Sequence, residues 1–161
     1  RTLYIEETAI HKGIAQTVWL GRMTKVAEHP YIYVDGAHNV AAWEYLRTSV
    51  EKYFTNRRVI YIIGVLKDKE YEKMVEILAP TMAAAVVVTP DTPRGLPKEI
   101  LAPLIQAQGV PVQLADTSAE ALQKAREQAG ETGVILVSGS LSFLAEYLQL
   151  ESGDGNNGAS R

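Results

Sequence analysis

Cysteine is missing from all 161 residues, which excludes a disulfide framework and any thiolate metal site. Histidine occurs only three times, at His11, His29 and His38; they are scattered, without H-E-x-x-H or other metal-ligand spacing. No apolar run approaches the ~20 residues of a membrane-spanning helix, and no signal-peptide pattern opens the chain. Basic residues do not cluster: 16 Lys and Arg stand against 19 Asp and Glu, for a net charge of -3. That leaves no electrostatic footprint for nucleic acid and no basic face for an anionic membrane. Within 18–150 there is neither a G-x-x-x-x-G-K-[ST] loop nor a G-x-G-x-x-G fingerprint, so the stretch carries no phosphate-cradling loop of either kind. It has no G-x-S-x-G nucleophile motif. These absences leave a cytoplasmic domain whose partners are small molecules as the expectation, with no nucleic acid and no membrane.

What is present is an ordinary globular composition, 47% hydrophobic and 22% charged, enough for one domain with a real core. Five short apolar runs recur: "YIYVD" (31–35), "RVIYIIG" (58–64), "AAVVVTP" (84–90), "VPVQLA" (110–115) and "GVILVSG" (133–139). Nearly continuous apolar character predicts strands covered on both faces. Between them lie helical patterns. Over 40–54, Trp43, Leu46, Val50 and Tyr53/Phe54 form one stripe, with Glu44, Arg47, Glu51 and Lys52 turned to water. A second helix runs through Tyr71, Met74, Val75 and Leu78 to Pro80, and a third follows Pro97, where Pro103 should kink or interrupt it. A fourth opens with Thr117 and Glu120 in capping-box spacing and closes at Gly130, and a short fifth is "LSFLAEYLQL". Alternation at this spacing predicts an α/β fold: a doubly wound, mostly parallel sheet of about six strands, with helices on both faces. The stretch 18–29 breaks the alternation and predicts an antiparallel edge strand.

The chain starts at Arg1 and reads as a piece of something longer. Residues 1–17 are expected to be a lead-in helix or interdomain linker, 18–150 the α/β domain, and 151–161, rich in Gly, Asn and Ser, a flexible tail.

The polar motifs fall on one rim. In an open parallel sheet, ligands bind outside the carboxyl ends of the strands, where loops and helix N-termini converge. "DGAHN" (35–39), "GVLKDKE" (64–70), "TPDTPRG" (89–95) and "SGSLS" (138–142) all follow strands on that side; the opposite rim carries plain turn chemistry. Asp35, at the last position of a buried strand, can accept hydrogen bonds from sugar hydroxyls, and Asn39 suits the N-cap of the next helix. The same five residues also make a serviceable strand-to-helix turn around His38. Lys67 and Lys69 are either point charges for an anion or solvated lysines. Asp91 and Arg94 sit in a loop stiffened by two prolines. Ser138 and Ser140 either meet an anion at a helix N-terminus or, in the case of Ser140, only cap it.

Taken together, "WLGRM", "DGAHN", "GVLKDKEYEKM", "LAP", "TPDTPRGLP" and "VSGSLSFLAE", in this order, resemble the C-terminal domain of bacterial folylpolyglutamate synthases, many of them also dihydrofolate synthases, within the Mur ligase superfamily. The resemblance spans about 8–150. It implies a Rossmann-like domain of an ATP-dependent ligase that adds L-glutamate to folate, and to dihydropteroate in some members, through an acyl phosphate. An N-terminal ATPase domain would carry the P-loop and the Mg2+ ligands, which accounts for their absence here, and the enzyme would be a monomer. By position, the resemblance assigns Arg22 to the ATP phosphates and Asp35 to the nucleotide, at the ribose. It assigns His38 to catalysis and to both the nucleotide and glutamate sites, and Ser140 to glutamate; Lys67 and Ser138 are secondary rim candidates. Val40 stands where proline is common, and Leu20 where "WPGR" is usual; both changes touch backbone stiffness rather than chemistry. The nearest rivals are another Mur-type amino-acid ligase, in which Tyr tends to replace Gly36, and a non-catalytic α/β ligand-binding module.

Overall fold

The structure is a computed structural model and describes residues 23–154. The chain runs β1 (Thr24–Glu28), β2 (Tyr31–Asp35), α1 (Val40–Tyr53), β3 (Val59–Gly64), α2 (Tyr71–Leu78), a 3-10 turn (Ala79–Thr81), β4 (Ala84–Val88), α3 (Lys98–Ala107), β5 (Val112–Ala115), α4 (Ser118–Ala129), β6 (Val134–Gly139) and α5 (Leu141–Asp154). The six strands form one sheet in the order β1-β2-β6-β3-β4-β5. Every neighbouring pair is parallel except β1 with β2, the antiparallel edge expected from 18–29.

Strand order and handedness together decide which face each helix covers. From β2 through β3 and β4 to β5 the chain steps in one direction, so right-handed crossovers place α1, α2 and α3 on one face. From β5 it returns across β4 and β3 to lay β6 between β2 and β3, and that reversal puts α4 and α5 on the other. The core divides accordingly. Trp43, Leu46, Met74, Leu78, Leu101 and Ile105 pack on Tyr61, Ile63 and Leu136, while Ala121, Leu122, Phe143 and Tyr147 pack on Ile32, Ile62 and Val137. Strands β3, β4 and β6 are buried at every position, as their apolar runs require. β5 departs furthest from its apolar run, with Gln113 and Leu114 exposed because it is an edge strand, and β2 is half-buried at Tyr31 and Tyr33.

Local chemistry sets the helix ends. The Asn39 side chain accepts the Ala42 N–H at 2.9 Å, and the Thr117 hydroxyl oxygen accepts the Glu120 N–H at 3.1 Å. Glu120 closes the capping box one residue early, accepting from the Asp116 N–H at 2.7 Å rather than from Thr117. Three features differ from the sequence reading. Pro103 lies inside α3 without ending it; its ring faces solvent, where water can serve the Glu99 carbonyl that loses its partner. Tyr53 is 64% exposed while Phe54 is buried, since at 3.6 residues per turn the stripe from Trp43 returns at the eleventh residue and not the tenth. α5 continues to Asp154, so the first four residues of the expected tail are helical; none of Glu151, Ser152, Gly153 and Asp154 is a proline that would stop it. The expected lead-in helix or linker at 1–17 lies outside the described residues.

At the centre of the sheet two glycines meet. Gly64 and Gly139 are register partners on β3 and β6, and a Cβ on Gly139 would stand 1.7 Å from the Gly64 carbonyl oxygen, at a φ of 147°. Gly139→Ala is therefore expected to cost more than about 3 kcal/mol or to prevent folding, since both backbone strain and overlap apply. Gly109→Ala meets no atom within 4 Å at a φ of 82° and should cost only about 1 kcal/mol. Urea denaturation of the two variants checks the contrast.

Candidate functional site

β6 gives the sheet its switch point. The loops after β2 and β3 turn toward the α1 face, while the loop after β6, lying between them, turns toward the α5 face. A crevice at such a reversal is where open α/β sheets hold ligands. Asp35 and Ser138 are register partners there, on adjacent strands.

Asp35 is 2% exposed. Its Oδ1 accepts the Ala37 N–H at 2.8 Å, an Asx turn that lets the chain leave the strand. Its Oδ2 is buried and has no hydrogen-bond partner among the described residues. Burial raises the carboxyl's pKa above the ordinary aspartate value of 3.8, and the Ala37 N–H only partly offsets this. Tyr61 on β3 also senses the Asp35 charge, but burial is the larger cause of its own upward shift and it stays neutral in the working range. An unpaired buried carboxylate oxygen costs free energy unless a donor arrives, so this atom is a ready acceptor for a ligand hydroxyl.

His38 is half-buried, and its Nδ1 lies 2.8 Å from the Gly36 carbonyl oxygen. That oxygen can only accept, so Nδ1 carries a proton, and of the two neutral tautomers the contact selects the one whose acceptor is Nε2. Gly36 thus lies between two site side chains: the Gly36–Ala37 peptide unit donates its N–H to Asp35 and accepts at its carbonyl from His38. The carbonyl of the next peptide unit, that of Ala37, accepts the Trp43 indole N–H at 2.9 Å and the Ser138 hydroxyl at 3.4 Å.

The other rim residues are spread more widely. Ser140 is 4% exposed and its Oγ accepts the Phe143 N–H at 3.3 Å, so it caps α5. It stands two residues past Ser138, at the start of the helix on the opposite face from α1. Lys67 is exposed; its Nζ donates to the Pro93 carbonyl at 3.3 Å, and its backbone N–H to the Arg94 carbonyl at 2.8 Å. Arg94 in turn pairs with Asp68 at 2.7 Å, and Leu66 bridges to Gly95. Lys67, a point charge or a solvated lysine on the sequence reading, and Arg94, in the proline-stiffened loop, therefore lace the β3–α2 loop to the β4–α3 loop. Trp43 escaped the sequence reading except as an apolar stripe residue; its signal was an indole N–H four residues after an N-cap. Arg22 lies outside the described residues. Among the described residues no group of three His, Asp or Glu side chains could hold a metal ion. A cleft of about 610 Å³ opens further along the rim, but Asp91, Asp116 and Glu146 on its walls make it a poor host for phosphate.

A doubly wound, mostly parallel sheet with a switch point at β6, where Asp35 holds a buried and unpaired oxygen, has the α/β architecture of the nucleotide-binding folds. This chain belongs to the Mur ligase C-terminal family: the family model described as "Mur ligase, glutamate ligase domain" matches residues 21–141. It is 28% identical over 144 residues to the dihydrofolate synthase/folylpolyglutamate synthase of Bacillus subtilis, covering 89% of this chain and 33% of that protein. With the Escherichia coli protein of the same description it shares 30% identity over 148 residues, 92% of this chain and 34% of that one. The solved structure of E. coli FolC in complex with DHPP and ADP superposes with a TM-score of 0.77 at 29% identity, covering 95% of this chain and 36% of the other. The chain thus spans about a third of the length of these relatives.

The upward pKa of Asp35 makes a pH-dependent stability difference. In the unfolded chain the carboxyl ionises near 3.8 and in the native state at higher pH, so the unfolded state gives up its proton first. Native stability therefore falls as pH rises from the ordinary value to the native one, and the cost stays constant above it. Asp35→Asn, which cannot ionise, should gain stability on the wild type through that window and hold the gain above it. Urea midpoints of both proteins from about pH 3.5 to about pH 8 measure this; a difference that does not change with pH would show that the carboxylate is not desolvated.

Proposed function

We propose that this chain is the C-terminal domain of an ATP-dependent, amide-bond-forming ligase that adds L-glutamate to a folate, with dihydropteroate as a second acceptor, through an acyl phosphate. The observation that carries the reading is the unpaired, buried Asp35 Oδ2 at the switch point, in a chain of this family whose relatives are named for that activity. ADP is bound in the E. coli FolC structure, at 29% identity.

ATP supplies the phosphoryl group that activates the folate carboxyl. In this chain Asp35 accepts the ribose hydroxyls through Oδ2, gaining the donor that burial denies it. His38, with Nδ1–H committed to Gly36, offers Nε2 to the glutamate ammonium and takes the proton the amine must lose before it attacks. Ser140 directs its hydroxyl toward glutamate, Arg22 neutralises phosphate charge, and Lys67 and Ser138 remain secondary rim contacts. The Mg2+ ligands belong to an N-terminal ATPase domain. Closure of the two domains excludes water and completes the site. The protein acts as a monomer in the cytoplasm; among the described residues no helix is long and apolar enough to cross a membrane.

Joined to its P-loop domain, the protein is expected to sustain ADP formation over many turnovers only when folate and glutamate are both present. In that protein His38→Ala should lower kcat about 100-fold, and Asp35→Ala should chiefly raise the KM for ATP. The chain by itself should show no turnover and weak ATP affinity. Ligase turnover by this chain alone, or ADP release that ignores folate and glutamate, would overturn the reading in favour of a different ligase or a binding module.

A further inference from the structure

The distinctive feature of the site is the way its two side chains share one peptide. Asp35 and His38 bond opposite edges of the rigid Gly36–Ala37 unit, at 2.8 Å each. A peptide unit in a loop is free to rotate about its flanking dihedrals, and if this one rotated, both side chains would lose their bearings together. Only the two soft dihedrals of Ala37 join it to the next unit, whose carbonyl accepts from Trp43 at 2.9 Å and from Ser138 at 3.4 Å. Holding that second unit therefore restrains the first.

We propose that Trp43 is a positioning residue for the Asp35–His38 site: its indole N–H anchors the Ala37 carbonyl, and that anchor keeps the preceding peptide unit aimed at both side chains. The significance for ligand binding rests on the reading of Asp35 as the nucleotide contact. Trp43 suits the task for three reasons. It is fully buried, so its N–H has no water to turn to and the bond to Ala37 is costly to break. It stands in the first turn of α1, which Asn39 caps, and side chains on a helix tilt toward its N-terminus; the indole therefore reaches back over the cap to a carbonyl six residues earlier. The Ser138 hydroxyl makes the longer second bond from β6, so the anchor ties α1 and the central strand to one atom.

The test separates anchoring from packing. Trp43→Phe keeps a buried ring and deletes the N–H. Val50→Ala, two turns along the same buried stripe, destabilises the core without touching Ala37. Amide hydrogen exchange is followed by NMR at Ala37, whose N–H bonds Asp35, relative to Ile62 in the central strand β3. Trp43→Phe is expected to speed Ala37 exchange at least tenfold against Ile62, and Val50→Ala to leave that ratio within twofold. Ser138→Ala, which removes the longer bond, should change it a few-fold in the same direction, and carries the test if Trp43→Phe does not fold. In parallel, ADP is titrated against each variant joined to its P-loop domain; Trp43→Phe should weaken binding about tenfold. An unchanged Ala37 ratio in the folded variant, or an equal change in Val50→Ala, overturns the positioning role. The expected exchange pattern without any response of Ala37 or His38 to saturating ADP in the joined protein keeps the anchor and overturns the nucleotide reading instead.

Discussion

Everything in this fold turns on the insertion of β6 between β2 and β3. That strand arrives last in sequence, after the chain has reversed direction along the sheet, and it must lie against two strands already buried on both faces. The contact is tightest at its carboxyl end, where Gly139 passes the Gly64 carbonyl at a distance no side chain would permit. A single constraint thus accounts for the buried centre of the sheet, the division of helices between faces and the crevice in which the polar motifs meet.

The site inherits its properties from that placement. Asp35 ends a strand that β6 covers, which is why its carboxylate is dry and one oxygen is left without a donor. His38 is turned by a backbone carbonyl and not by another side chain, so its tautomer follows from loop geometry. The adjoining loops are braced in a different way: Lys67, Asp68, Arg94 and Gly95 lace together two segments that would otherwise move independently. Charges that looked available for an anion are thereby spent partly on the rim's own rigidity. The neighbouring acidic cleft adds to this separation of roles, because its carboxylates favour cations over phosphate.

The two faces also differ in how they support the site. On the α1 side, the Trp43 indole N–H bonds the turn directly, while Asn39 caps α1. On the α5 side, Ser140 caps its own helix, and support comes through apolar packing of Phe143 and Tyr147 beneath β6. A substitution on one side acts on hydrogen-bond geometry, whereas one on the other acts through the fit of the sheet.

Apolar runs and capping residues were enough to place all five parallel strands, the antiparallel edge and the helices, because burial on both faces and the demands of helix ends are local matters. The rim bearing Asp35, His38 and Ser138 was legible for the same reason, since the ends of strands can be read in order. Strand order could not be read that way: β6 pairs with residues about a hundred positions earlier, and only packing of both helix layers selects that partner. The unpaired Oδ2 of Asp35, the engagement of Lys67 with Pro93 and the bond from Trp43 to Ala37 were no more legible. Such contacts join atoms far apart in the chain or around a tight turn, where periodicity is silent and three-dimensional proximity alone decides.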